Sequence, residues 1–316
     1  MPRPGPVSVL VYHPDEAQTY ARLIRAPRGR VRIRTAATPA EALPYVEEMD
    51  ALYTWGFPTE LLPRARRLRW VHVMGAGVDA FLDAPFPPRV VLTRVEGVFG
   101  PWMAEYVLGW LLWTAQLTEG FRAAQRAHRW EPAMPTLLRG RTFGIVGLGS
   151  IGRTVARAAR ALGMCVIGMN RSGRPVPEVE RVYRRAALRE LLRASDYAVL
   201  VVPLTPETRG LVGEAELRAM RPAAWLVNVG RGALVQENAL VRALRERWIA
   251  GAVLDVFVEE PLPAEHPLWE MPNVVVTPHV SGPNDPTEIA PIFNENLHRF
   301  LQGRALRGRV DLRRGY

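Results

Sequence analysis

"TFGIVGLGSIGRTVARAARALG", Thr142 to Gly163, is the stretch on which the reading of this chain turns. An apolar run, Thr142–Val146, meets Gly147, Gly149 and Gly152 in a G-x-G-x-x-G spacing. Beyond it Ile151, Val155, Ala159 and Leu162 fall on one face of a helix expected over Ser150–Leu162. Glycines alone say little, but between a strand and a helix they have a physical task. They allow a tight turn, let a pyrophosphate come close to the backbone, and leave the helix amides and dipole aimed at its negative charge. A dinucleotide site is therefore expected at Gly147, Gly149, Ser150, Ile151 and Gly152.

The next strand is expected at Cys165–Met169, running into "VIGMNRSGRP", residues 166–175. In such a unit an Asp or Glu roughly 20 residues past the glycines takes the ribose 2′-hydroxyl of NAD. Here Asn170 stands 18 residues after Gly152 (170 − 152), followed by Arg171, Ser172 and Arg174. A carboxylate would repel a 2′-phosphate, whereas neutral donors and two cations suit one. NADP(H) is the expected cofactor, with NAD(H) still possible.

Four more strands are expected at Tyr197–Val202, Ala224–Asn228, Gly251–Asp255 and Asn273–Thr277, giving a six-stranded doubly wound domain. At their ends lie "PLTPET" (203–208), "NVGRG" (228–232), "GAVLDVFVEEPLP" (251–263) and "TPHVSG" (277–282). Strand ends converge on the ligand crevice of such a sheet, which makes Pro203, Thr208, Asn228, Val229 and Gly230 neighbours of the cofactor. They also bring Arg231, Glu260 and His279 together, the residue types needed to reduce a 2-keto acid. An arginine can hold the carboxylate and polarise the carbonyl, and a histidine can protonate its oxygen as hydride reaches the carbon. Glu260 beside the imidazole would orient it and favour its protonated form.

Working back toward the start, Val7–Tyr12, Val31–Arg34, Ala51–Trp55, Trp70–Met74 and Val90–Thr93 are short strand-like runs separated by helical or turn-like segments such as Glu16–Arg25 and Thr59–Arg66. That alternation implies a second parallel sheet. A long helix is expected over Trp102–His128, after Gly100-Pro101. The length, 316 residues, suits two α/β domains. The formal charge of +10 invites a nucleic-acid reading, but all 41 basic residues are arginine, a bias spread along the chain that fits solvated faces better, so no nucleic-acid partner is expected. The longest apolar run, Val107–Leu117, is too short to cross a bilayer and is flanked by Glu105 and Glu119, so no membrane partner is expected. The opening, Met1–Pro6, has no leader pattern, and the one cysteine, Cys165, excludes an intramolecular disulfide framework, so a cytoplasmic chain is expected. His13, His72, His128, His266 and His298 show no ligand spacing, and no metal is expected.

With these motifs in order, the chain resembles the D-isomer-specific 2-hydroxyacid dehydrogenases, most closely the short glyoxylate/hydroxypyruvate reductases. The likeness runs from "MGAGVD" (74–79) through "MAEYVLGWLL" (103–112) to T-P-H at 277–279. It implies Arg231, Glu260 rather than Glu259, and His279 as the catalytic set, with Asp255 at the nicotinamide carboxamide. It also implies a substrate-carboxylate cradle of amides at Ala76 and Gly77, and Trp55 on the pocket border. The implied fold is a Rossmann cofactor domain, 99–282, inserted into a flavodoxin-like substrate-binding domain, 1–98 and 283–316. Hinges would lie near Gly97–Pro101 and Gly282–Pro286, and the helix from Trp102 would form a homodimer contact. The loop Ser281–Ala290 departs from the family's usual glycine-rich continuation. Rival readings are an NAD-dependent dehydrogenase for a D-lactate-like or phosphoglycerate substrate, a formate or phosphite oxidoreductase on the same scaffold, and an NAD(H)-sensing binding protein of the same fold.

Overall fold

The computed structural model describes residues 5–312 and 314–315. Met1–Pro4 of the proline-rich opening and Arg313 of the basic tail lie outside the described residues. The chain forms two compact units, one made of residues up to Val98 and from Asn284 onward, the other of Phe99–Pro283.

The first unit begins with β1 (Val7–Tyr12), α1 (Ala17–Arg22), β2 (Val31–Ala36), α2 (Pro39–Val46), β3 (Ala51–Thr54), β4 (Trp70–Val73), α3 (Asp79–Leu82) and β5 (Val91–Arg94). The strands are all parallel in the order β2-β1-β3-β4-β5, the flavodoxin-like arrangement. Their residues are buried over β3 and β4, as expected of a sheet covered on both faces. The segment expected as helical or turn-like over Thr59–Arg66 is a 3-10 turn, Thr59–Arg64.

A polar row crosses this core. Tyr53, His72 and Thr93 are paired across β3, β4 and β5, and Tyr53 and Trp70 stack on Phe293 with ring centroids 4.0 and 5.0 Å away. Thr93 Oγ1 accepts from Trp70 Nε1 at 2.8 Å and donates to the Val71 carbonyl at 3.2 Å. Its contact with His72 Nδ1, at 2.7 Å, must therefore carry the proton on the imidazole, which leaves Nε2 as a buried lone pair without a partner. Burial pushes the His72 imidazole down from 6.5 to about 3. The unfolded chain thus takes up this proton near pH 6.5 and the folded one only near 3, so stability is lost as pH falls between these values. The expected loss is at most about 1.4 kcal/mol per pH unit from this one proton. Urea midpoints measured from pH 7.5 to 4 should fall more steeply for the wild type than for His72→Gln; parallel curves would show that His72 is not responsible.

The second unit opens with α4 (Phe99–Ala115) and α5 (Thr118–Arg126), and continues through β6 (Thr142–Val146), α6 (Ser150–Ala161), β7 (Cys165–Met169) and β8 (Arg181–Tyr183). Then follow α7 (Leu188–Ala194), β9 (Tyr197–Leu200), α8 (Glu214–Ala219), β10 (Trp225–Asn228), α9 (Glu237–Arg245), β11 (Gly251–Leu254) and β12 (Val274–Val276). The order β12-β11-β10-β9-β6-β7-β8 is the Rossmann order with a seventh strand beyond the sixth. Seven strands replace the six expected, since β8 was not foreseen. The long helix expected over Trp102–His128 is two helices, broken at Leu117, whose φ of 53° leaves the helical region. α4 packs along α6, and Gly100 permits it: a Cβ there would stand 2.8 Å from Thr154 Oγ1. The chain then returns to the first unit with α10 (Pro286–Leu301), whose N-terminus is capped by the Asp285 side chain accepting from the Thr287 amide.

Candidate active site

The glycine turn lies where the strand order of the second sheet reverses, between β6 and β9. Its glycines have different tasks. Gly147 has φ +117°, and a Cβ on it would stand 2.6 Å from the Val201 carbonyl oxygen. A Cβ on Gly152 would overlap the Gly147 carbonyl oxygen, so only glycine lets α6 start this close to β6. A Cβ on Gly149 would meet no atom within 4 Å. That space, beside the opening amides of Ser150, Ile151 and Gly152, is the opening a pyrophosphate needs. These residues fit a dinucleotide.

The loop after β7 is built before any ligand arrives. Asn170 does not project as a free donor, as the sequence suggested: Oδ1 accepts from the Gly173 amide at 2.6 Å and from Ser172 Oγ at 3.2 Å, and Nδ2 donates to the Arg174 carbonyl at 2.9 Å. At the other end Arg153 grips the buried Glu178 with two bonds of 2.9 Å, Arg157 adds one of 3.0 Å, and Arg160 reaches the Pro177 carbonyl at 2.8 Å. The Arg153 guanidinium holds the Glu178 carboxyl below its ordinary value. Between these anchors Arg171, Ser172 and Arg174 are exposed, and the Glu207 carboxyl, held below its ordinary value first by its bond with Thr205, also feels the Arg171 charge. On the loop after β9, Thr208 Oγ1 donates to the Pro203 carbonyl at 2.7 Å and accepts from the Thr205 amide at 2.8 Å, so it closes that turn.

Arg231, Glu260 and His279 follow three adjacent strands, β10, β11 and β12. Asn228 shapes the first loop, donating to the Arg231 carbonyl at 2.9 Å and accepting from the Gly230 amide at 3.2 Å; Val229 is buried behind it. Gly232 lets this loop lie on the backbone of Phe257, where any Cβ would collide. The Phe257 amide in turn donates to Glu260 Oε1 at 2.9 Å, and Glu260 Oε2 stands 2.9 Å from His279 Nδ1. Since the carboxylate only accepts, Nδ1 carries the proton in this pair and Nε2 is the nitrogen left for exchange with a ligand. Asp255 is fully buried, and its carboxylate accepts from Thr277 Oγ1, the Val280 amide and the Ser281 amide.

The first unit carries the remaining candidates. Trp55 lies against Gly75, where a Cβ would come within 2.7 Å of its ring, and so borders the turn holding Ala76 and Gly77. Arg94, which the sequence did not single out, donates to the Ala76 carbonyl at 3.2 Å and buttresses that turn from behind. Among the described residues no group of three or more His, Cys, Asp or Glu could hold a metal ion, and no helix is long and apolar enough to cross a membrane.

Residues 108–281 match the D-isomer specific 2-hydroxyacid dehydrogenase, NAD binding domain family. The chain belongs to the D-isomer specific 2-hydroxyacid dehydrogenases. Within that family it is 40% identical to the glyoxylate reductase of Aeropyrum pernix over 81% of each chain. It is 32% identical to the glyoxylate/hydroxypyruvate reductase A of Escherichia fergusonii over 98% of this chain and all of that one. The crystal structure of the NADPH-dependent glyoxylate/hydroxypyruvate reductase of Sinorhizobium meliloti, in complex with NADP and sulfate, superposes with a TM-score of 0.89 at 32% identity, covering 99% of this chain and 100% of that one. In this dehydrogenase the Arg153–Glu178 anchor and the Arg94 buttress carried no motif; the spacing of Arg153, Arg157 and Arg160 along one helix face was the signal available for the first.

Proposed function

We propose that this dehydrogenase reduces glyoxylate, hydroxypyruvate or a similar small 2-keto acid to the 2-hydroxy acid with NADPH. The observation that carries this reading is the Glu260–His279 pair at 2.9 Å, set on strand ends of the sheet that holds the glycine cradle. Bound cofactor supplies the hydride. Arg231 holds the substrate carboxylate and polarises the adjacent carbonyl, His279 gives the Nε2 proton to its oxygen, and Glu260 stabilises the imidazole and keeps Nδ1–H turned inward. The amides of Ala76 and Gly77 are assigned to the carboxylate and Trp55 to the pocket wall. We assign a cytoplasmic homodimer, a state favoured by the apolar residues on the segment after α5, where Trp130 is 98% exposed, Met134 86% and Leu137 71%.

The test is oxidation of NADPH and NADH in parallel, with glyoxylate, hydroxypyruvate, pyruvate and phosphohydroxypyruvate. NADPH-linked turnover of the small keto acids is expected, and its absence with all four would overturn the assignment. Arg171→Ala together with Arg174→Ala should raise the KM for NADPH by about tenfold or more, the scale of one lost charge-assisted contact, and leave that for NADH nearly unchanged. Equal effects on both cofactors would remove the 2′-phosphate role.

A further inference from the structure

His279 adopts φ +54°, a left-handed conformation that costs a β-carbon-bearing residue free energy and persists only where the surroundings impose it. The bonds that impose it lead away from the reacting groups. The His279 amide donates to the Asp255 carbonyl at 2.9 Å and to the Thr277 carbonyl at 3.1 Å. The two amides that follow, Val280 and Ser281, donate to the two Asp255 carboxylate oxygens at 2.9 Å each. Thr277 Oγ1 lies 2.6 Å from Asp255 Oδ1 and 2.6 Å from the hydroxyl of Tyr106 on α4.

The directions of the last two bonds follow from chemistry. A carboxylate can only accept, so Thr277 has given its one hydroxyl proton to Asp255, and the Tyr106 hydroxyl must be the donor to Thr277. Burial pushes the Tyr106 hydroxyl up, so it keeps that proton throughout the working range of pH. Tyr106 therefore closes a relay, Tyr106 to Thr277 to Asp255, whose last member grips the histidine's own amide and the two amides that follow it.

We propose that Tyr106 is a positioning residue for proton transfer: through Thr277 and Asp255 it locks the left-handed backbone of His279 and thereby the bearing of the imidazole on Glu260. The inference rests on the reading of His279 as proton donor, but the lock itself can be observed without turnover. Without the tyrosine donor, Thr277 Oγ1 keeps its proton on Asp255 but its rotamer is no longer held from the α4 side. The loop 277–281 then gains alternative arrangements, and the histidine spends part of its time misdirected.

Tyr106→Phe keeps the ring and its edge contact with Trp110, at 6.2 Å between centroids, and removes the hydroxyl together with its bonds to Thr277 and to the Trp110 indole N–H. Two readouts are taken on the full-length protein: amide hydrogen exchange at Val280 and Ser281, and steady-state kinetics with NADPH and glyoxylate. The expected result is exchange about tenfold faster at these two amides, with protection elsewhere unchanged, and kcat lower by about tenfold with KM for both substrates within about twofold. Thr277→Val, which breaks the relay one step later, should reproduce the pattern and combine with Tyr106→Phe less than additively. Unchanged exchange at both amides in Tyr106→Phe overturns the proposal, as does faster exchange with undiminished kcat in an enzyme whose wild type turns over. If the wild type reduces none of the keto acids while Tyr106→Phe still frees the two amides, the lock stands and the functional reading fails.

Discussion

His279→Ala is expected to lower kcat by about three orders of magnitude while leaving the NADPH dissociation constant within about threefold, because the lost group acts on the proton and not on the dinucleotide. The imidazole is held by a carboxylate at 2.9 Å, itself steadied by the Phe257 amide. On the proposed mechanism, removing it leaves the developing alkoxide without its proton donor, while the glycine cradle before α6 is untouched. Steady-state kinetics and a fluorescence titration with NADPH measure the two halves. Near-normal turnover would mean that another group delivers the proton; lost cofactor binding would mean that the histidine loop shapes the dinucleotide site as well.

Gly152→Ala should act at the other end of the chemistry and nearly as strongly. The added methyl overlaps the Gly147 carbonyl oxygen, and that atom is backbone and cannot swing aside. α6 must shift away from β6, with a cost of about 1–3 kcal/mol typical of forced overpacking. Because the same shift carries the amides of Ser150 and Ile151 with it, NADPH affinity should fall by about 100-fold. Gly149→Ala provides the contrast. Beyond its chain neighbours nothing lies within 4 Å of the added Cβ, so the melting temperature should hold while NADPH binding weakens. If both variants kept full affinity, the pyrophosphate would not lie on this turn.

Much of this was open to local reading. Alternating strands and helices, the glycine spacing and the motifs at strand ends are all written in neighbouring residues, and a periodic pattern or a short motif is what a linear reading can detect. The catalytic candidates came with them, since Arg231, Glu260 and His279 each sit just past a β-strand that announces itself. Features without such a local signal were missed. β8 has three residues, begins with an exposed arginine and pairs only with β7, so it has too little periodicity to stand out. The break at Leu117 falls on no glycine or proline and is flanked by Gln116 and Thr118, residues that a helix accepts, so nothing local announces it.

The same limit applies to the side chains. The absence of a carboxylate after β7 is a fact of composition and favours NADP(H) by charge alone. That Asn170 folds the loop upon itself, while Arg153, Arg157 and Arg160 pin its far end, depends on which way each side chain turns once α6 lies beside it. Tyr106 is the clearest case: in the sequence it is one more residue of an apolar helix, 171 positions from Thr277. Hydrogen bonds between residues that far apart leave no period or spacing in the chain. The two parallel-sheet architecture, the dinucleotide turn and the candidate reacting groups are legible in the chain alone, because each is encoded within a few consecutive residues. What holds those groups in place emerges in the folded molecule, because the supporting contacts form between segments that meet when the sheet is complete.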